Sequence, residues 1–350
     1  MPRVVILGAG VMGSAMAMPL NSAGQEIDLV GTHLDEVIIR SIQGNGFHPK
    51  LNITLPESVK AYQWTDLDRI SINKADMIIL GVSSAGVDWA IDRIAENLTR
   101  PVPIVMITKG LRIQDGEIKI FPSIVSEILQ KKIGFSVPVL GIGGPCIAGE
   151  LAALRDTMTV IGGDDNNSIE KAIKLLNAPY YHARPSLDVI GVEVCAAFKN
   201  FFAIGVGWAQ GHFEKSKTVE NTAKMHNIAA GLFTQSVREL TTLTVAIGGQ
   251  AETVNGLAGV GDLYVTCLAG RNSRMGRLLG LGLTYEKAKA DHMEKDTIEG
   301  AELAKAIGPQ LELMWTDGRL SRYEMPLSNA IVRAICYNEI LSIPWSKFMI

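Results

Sequence analysis

RVVILGAGVMGSAMA, residues 3–17, sets the fold of the first half of this chain. Val4 to Leu7 form an apolar run with no polar interruption, the pattern of a strand buried on both faces. Gly8, Gly10 and Gly13 follow with G-x-G-x-x-G spacing, and a helical pattern over 11–24 closes on Gly24. That spacing alone is weak; its place between strand and helix makes it specific. Gly8 permits the tight turn, Gly10 lets the backbone approach a pyrophosphate, and Gly13 lets helix and strand pack closely. The helix N-terminus, with Val11 and Met12 in its first turn, offers unpaired N–H groups to phosphates. A dinucleotide-binding turn is expected.

Beyond this turn, apolar runs at 26–31, 76–82, 102–110 and 137–145 read as further strands, and 157–163 as the last one. Helical stretches such as 85–98 lie between them. Continuous apolar strands alternating with helices predict an α/β, Rossmann-type doubly wound parallel sheet. After about residue 188 the strand pattern stops, and long runs rich in Ala, Gly, Leu and Met predict a mostly α-helical second domain. The expected division is a dinucleotide-binding domain over 1–189 and a helical substrate and catalytic domain over 190–350.

The chain has 350 residues, enough for two cores, with 47% apolar and 20% charged residues. A formal net charge of −3 and the lack of any Lys/Arg run argue against nucleic acid or an anionic membrane as partner. A small anionic substrate needs only a few local cations. No apolar run reaches the about 20 residues of an integral membrane segment, and no secretory leader pattern opens the sequence. Cys146, Cys195, Cys267 and Cys336 are scattered without metal-ligand spacing, so reduced thiols, no metal and a cytoplasmic setting are expected.

An acid about 20 residues beyond the glycine turn would bind the adenosine ribose of NAD. Here Thr32 and His33 occupy that position, and Asp35 and Glu36 come late. With no carboxylate to repel a 2′-phosphate and no Arg to attract one, NADP(H) is slightly favoured over NAD(H), or both are used.

Lys109, in MITKG, falls just past the carboxyl end of a predicted strand, where doubly wound sheets bind ligands. It meets substrate or phosphate there, or is a loop lysine on the surface. In GVEVCAAFKNFFAIGVG (191–207) Lys199 and Asn200 interrupt an apolar helix. A lysine so placed snorkels out, pairs with an anion, or gives up its proton more readily, and the last property suits a general acid/base. GLAGVGDLYVTCLAGRNSRMG (256–276) holds an isolated acid, Asp262, then Arg271 and Asn272. The Arg fork suits phosphate and Asn suits hydroxyls, although Arg271, Arg274 and Arg277 equally fit a solvated helix face.

GAGVMGSAMA, MITKGL, GGPCIAGELA, GVEVCAAFKNFFAIGVG, GLAGVGDLYVTC, AGRNSRMG and TIEGA resemble, in order and spacing, the sequence blocks of NAD(P)-dependent glycerol-3-phosphate dehydrogenase over roughly residues 4 to 305. The resemblance implies reversible hydride transfer between the nicotinamide and C2 of dihydroxyacetone phosphate or glycerol 3-phosphate. It implies Lys199 as proton donor and acceptor, with Lys109 and Asp262 completing the polar site. It places Arg271 and Asn272 on the substrate, Arg271 also near the cofactor, and Glu299 as a cofactor contact. Gly144, Cys146 and Ala148 fall on a turn touching substrate and cofactor. A homodimer is common in the family.

Four features depart from the family pattern. Gly270 replaces the Ser of an S-R-N triplet, Cys146 a hydroxyl or amide side chain, and Met12 a bulky aromatic; the 209–227 stretch is longer. Gly270 and Cys146 favour a second reading, a related dehydrogenase for another short ketone or aldehyde carrying phosphate or sulfonate. A third, a non-catalytic nucleotide sensor, would have no need of Lys199.

Overall fold

The computed structural model describes residues 1–216 and 224–348. The 209–227 stretch therefore falls partly outside the described residues. The chain forms two compact units, Met1–Lys109 with Ile120–Glu193, and Gly110–Lys119 with Val194–Ile350. The expected boundary places residues 110–119 in the first domain; they form a hairpin that belongs to the second unit. Gln310 Nε2 donates to Gly116 O at 2.7 Å and ties the hairpin's turn to a helix of that unit.

The first unit is built on eight strands: β1 (Arg3–Leu7), β2 (Glu26–Val30), β3 (Val59–Tyr62), β4 (Met77–Leu80), β5 (Ile104–Met106), β6 (Val139–Gly143), β7 (Thr157–Gly162) and β8 (Tyr181–Ser186). Their order across the sheet is β3-β2-β1-β4-β5-β6-β7-β8. The first six are parallel in the 3-2-1-4-5-6 order of dinucleotide-binding sheets. β7 runs antiparallel to β6, and β8 follows it at the edge. The stretch 157–163 is thus not the last strand, and the sheet is mixed. β3 and β8 escape the sequence pattern because each, as an edge strand, buries less and carries polar residues such as Lys60 and Arg184.

Alternation along each central strand serves two cores. Val4 and Ile6 of β1 join Ile27, Leu29, Met77 and Ile79 on one face. Val5 and Leu7 join Val30, Ile78, Leu80 and Ile104 on the other. Each such side chain, removed from water, contributes about 1.5–3 kcal/mol, so β4 and β5 have no polar face to show, while β2 carries Asp28 buried in a pair with Arg3. The helix expected over 11–24 is two short ones, α1 (Val11–Ala15) and α2 (Ala17–Ser22). Pro19 explains the break: it has no N–H to give Ala15 O, and its ring crowds that carbonyl.

The second unit is helical. Its longest element, α3 (Val189–Lys215), begins in the first unit and carries Lys199. By length and a mean hydropathy of 1.7 it could cross a membrane, but 89% of that window is buried inside the protein. It is a core helix. α3 meets the helix Arg271–Gly280 backbone to backbone. A Cβ on Gly276 would collide with Ile204 O and stand 3.0 Å from Gly207 Cα, and one on Gly280 would collide with Trp208 O. Gly276→Ala is therefore expected to destabilise the protein by about 3 kcal/mol, because neither backbone can yield without moving a helix. A denaturant midpoint within error of wild type would refute that packing.

Candidate active site

In the first unit the chemistry-bearing turns cluster at the carboxyl ends of the parallel strands. Gly8 has φ +107°, and a Cβ there would stand 2.6 Å from Gly81 O, at the end of β4. Gly13 lies over Gly8 O with no room for a side chain. A Cβ on Gly10 would meet nothing within 4 Å, so the backbone at Gly10 borders open space. This is what a pyrophosphate requires: two glycines closing the turn and one leaving its backbone approachable. Val11 is exposed, and Met12 and Ala148 both pack partly against the core beside this turn.

The carboxylate of Asp35 is committed to the turn. Its Oδ2 accepts hydrogen bonds from Thr32 N at 2.9 Å, Thr32 Oγ1 at 2.8 Å and Ala9 N at 3.3 Å. Glu36 is paired with Arg40 on the exposed face, and His33 points to solvent. The acids that come late for a ribose are therefore occupied. His48, fully buried, accepts the Leu51 N–H at Nδ1, so its Nε2 carries the proton and donates to Ala9 O at 3.1 Å. Burial holds its pKa below the ordinary histidine value, which keeps it neutral. Asp35 and His48 brace the glycine turn from opposite polarities, roles that the local sequence does not announce.

Thr108 Oγ1 donates to Val82 O at 2.7 Å and joins the ends of β5 and β4. Lys109 follows it, half-buried. Gly144, just past β6, has φ +108° and lies against Thr159 and Met158 of β7. Cys146 and Ala148 follow on the same connection, partly buried.

In the second unit Lys199 is 7% exposed and Asp262 is fully buried. Lys199 Nζ donates to Asp262 Oδ1 in a buried ion pair. The lysine in the apolar helix has thus paired with an anion rather than snorkelled out. Asp262 is aimed by an irregularity: Leu257–Gly261 forms a π-helical turn that leads into the helix Asp262–Leu268. Such turns concentrate at functional sites because the extra residue re-aims the side chains beyond it. Gly259 allows it, since a Cβ there would strike the Val254 backbone.

Arg271 opens the helix Arg271–Gly280 and pairs with Glu299, the first residue of the helix Glu299–Thr316; both are partly exposed. Arg274 donates to His292 O at 2.8 Å, and Arg277 pairs with Glu214, so those two are structural links on a solvated face. Asn272 is a strut: its Nδ2 donates to Asn200 Oδ1 at 3.0 Å and its Oδ1 accepts the Gly300 N–H at 2.9 Å. Gly270 takes φ +118°, a conformation that disfavours any side chain. A serine at this position would be strained, which gives the departure at Gly270 a backbone cause.

One buried acid is missing from the sequence-based candidates. Glu193 stands in the same apolar run as Lys199 and is wholly buried. Its signal is a lone carboxylate among Val192, Val194 and Cys195, overshadowed by the lysine six residues on.

Comparisons with known proteins agree over nearly the whole chain. Residues 3–169 match the family model of the NAD-dependent glycerol-3-phosphate dehydrogenase N-terminus, and residues 188–342 that of its C-terminus. An NADP(+)-dependent glycerol-3-phosphate dehydrogenase of Archaeoglobus fulgidus is 34% identical over 285 residues, covering 81% of this chain and 82% of that one. A glycerol-3-phosphate dehydrogenase [NAD(P)+] of Chlamydia pneumoniae is 30% identical over 337 residues, covering 95% and 92%. The crystal structure of the Coxiella burnetii glycerol-3-phosphate dehydrogenase superposes with a TM-score of 0.78 at 27% identity, covering 99% and 97%.

Proposed function

Because the chain belongs to the NAD-dependent glycerol-3-phosphate dehydrogenase family, we propose that it interconverts dihydroxyacetone phosphate and glycerol 3-phosphate with NAD(P)(H). The observation that carries this reading is the buried Lys199–Asp262 pair, an acid–base group held where water does not compete.

The nicotinamide supplies or accepts the hydride when bound, and Gly8, Gly10, Val11, Met12 and Gly13 would hold its pyrophosphate, with Thr32 and His33 toward the adenosine side. In the reducing direction Lys199 gives a proton to the C2 oxygen; in the oxidising direction it takes one back. Asp262 orients the Lys199 ammonium, and a charge held in a low-dielectric setting acts more strongly on a developing alkoxide than in water. Arg271, with its planar fork, is the phosphate's partner, and Glu299 holds that fork in place until substrate arrives. Lys109 adds a second cation for the anionic substrate. Asn272 orients this region through Asn200 and Gly300.

Thr32 and His33 stand where a ribose-binding acid would, and the Asp35 carboxylate is turned onto the backbone of the glycine turn, which supports use of NADPH at least as readily as NADH. Four cysteines without disulfides fit a reducing, cytoplasmic setting.

The test follows nicotinamide absorbance with dihydroxyacetone phosphate, NADH and NADPH in parallel, against a panel of short anionic ketones and aldehydes. Saturable turnover of dihydroxyacetone phosphate above every analogue supports the reading, and preference for another compound overturns it. Arg271→Ala is expected to raise KM for the phosphorylated substrate about 30-fold, the loss of one charge-assisted bidentate contact. An equal rise for a neutral analogue such as dihydroxyacetone would refute the phosphate role.

A further inference from the structure

Glu193 is completely buried, and neither oxygen of its carboxyl has a hydrogen-bond partner. The carboxyl rests over Gly141 of β6, in the space that a Cβ at that position would occupy. Gly141 thus forms a cradle that exists only because it is glycine. In the sheet Gly141 pairs with Met106 of β5, and three residues beyond Met106 stands Lys109. The Lys109 ammonium is the charge that acts on this carboxyl. β7 presents Gly162 to the start of α3, against Val189 and Val192, and Asp188 just before the helix accepts the Gly191 N–H at 2.8 Å.

A buried, unpartnered carboxyl resists ionisation, and Lys109 offsets this only in part. The Glu193 acid is pushed up to about 8. Below that pH Glu193 is neutral and offsets none of the Lys109 charge. Above it the carboxylate cancels that charge.

We propose that Glu193 is a positioning residue that sets the charge Lys109 presents to an anionic substrate. With Glu193 protonated the pair attracts the anion. When the Glu193 O–H bond breaks and its proton passes to water, the pair is neutral and the substrate is held weakly. Above about pH 8 substrate binding accordingly draws a proton from water back onto Glu193. The proposal rests on the reading of Lys109 as a substrate contact, and deepens it.

The experiment compares wild type with Glu193→Gln, which mimics the neutral acid at every pH. From pH 7 to pH 9 the wild-type KM for dihydroxyacetone phosphate should rise about tenfold, the effect of a unit charge in a partly screened interior. In Glu193→Gln it should stay near its pH 7 value, while kcat keeps the wild-type pH profile. The same KM rise in both proteins would overturn the proposal. A second arm needs neither activity nor that variant. Infrared spectroscopy follows the carbonyl stretch of the buried acid through a pH titration of wild type and Lys109→Met. The band should vanish with a midpoint near 8 in wild type, and at higher pH once the lysine charge is gone. An unmoved midpoint refutes the coupling. Absence of dihydroxyacetone phosphate turnover would defeat the functional reading alone, because the infrared arm still decides whether Glu193 and Lys109 act together.

Discussion

Lys199→Ala is expected to lower kcat by about a thousandfold while leaving cofactor affinity within about twofold of wild type. Removing a positioned general acid/base costs about 10²–10⁴ in rate, and this one sits in a buried pair where no water takes its place easily. The cofactor turn is built from Gly8, Gly10 and Gly13 and braced by Asp35 and His48, none of which the substitution touches. Truncation of Lys199 leaves space beside the Asp262 carboxylate, so added alkylamines should restore part of the rate. Steady-state nicotinamide absorbance gives kcat, and quenching of intrinsic fluorescence gives cofactor binding. A kcat close to wild type would remove Lys199 from the chemistry; lost cofactor binding would mean a fold defect instead.

The largest effect on stability should come from Asp262→Ala. It leaves the Lys199 ammonium in a site where the lysine is 7% exposed, without the carboxylate that compensates its charge. Breaking one side of a buried pair costs about 3–5 kcal/mol, far more than the net worth of the pair itself. The double variant Lys199→Met/Asp262→Leu replaces both charges with apolar groups of similar size and should recover most of that loss. Denaturant unfolding of Lys199→Met, Asp262→Leu and the double closes the cycle. Strict additivity would show that the two side chains do not depend on each other. Turnover should stay strongly lowered in all three, whatever stability the double recovers, which separates the stability result from the kinetic one.

Much of this protein is legible without its structure. The glycine turn at 8–13, the buried strands of the sheet centre and the lysine of the apolar helix are local patterns. Each is written within a short run of consecutive residues, because a strand buried on both faces must be apolar throughout and a tight turn against a neighbouring strand must be glycine. The edge strands β3 and β8 are not legible, because partly solvated strands carry the polar residues that connecting segments also carry. The hairpin at 111–120 is likewise silent about its allegiance, which rests on a contact between Gly116 and the distant Gln310.

Taken alone, the amino-acid order states which chemical groups are available: one lysine in an apolar helix, one isolated acid after a run of glycines, a G-x-G-x-x-G turn. Their partners were assigned by the folded chain. Asp262 became the counter-ion of Lys199 across 63 positions, Asp35 became a brace for the turn instead of a ribose ligand, and Glu193 became a buried carboxyl without a hydrogen-bond partner over Gly141. The reason is physical. What a charged group does depends on its desolvation and on the nearest opposite charge, and both are set by chain segments far away in sequence.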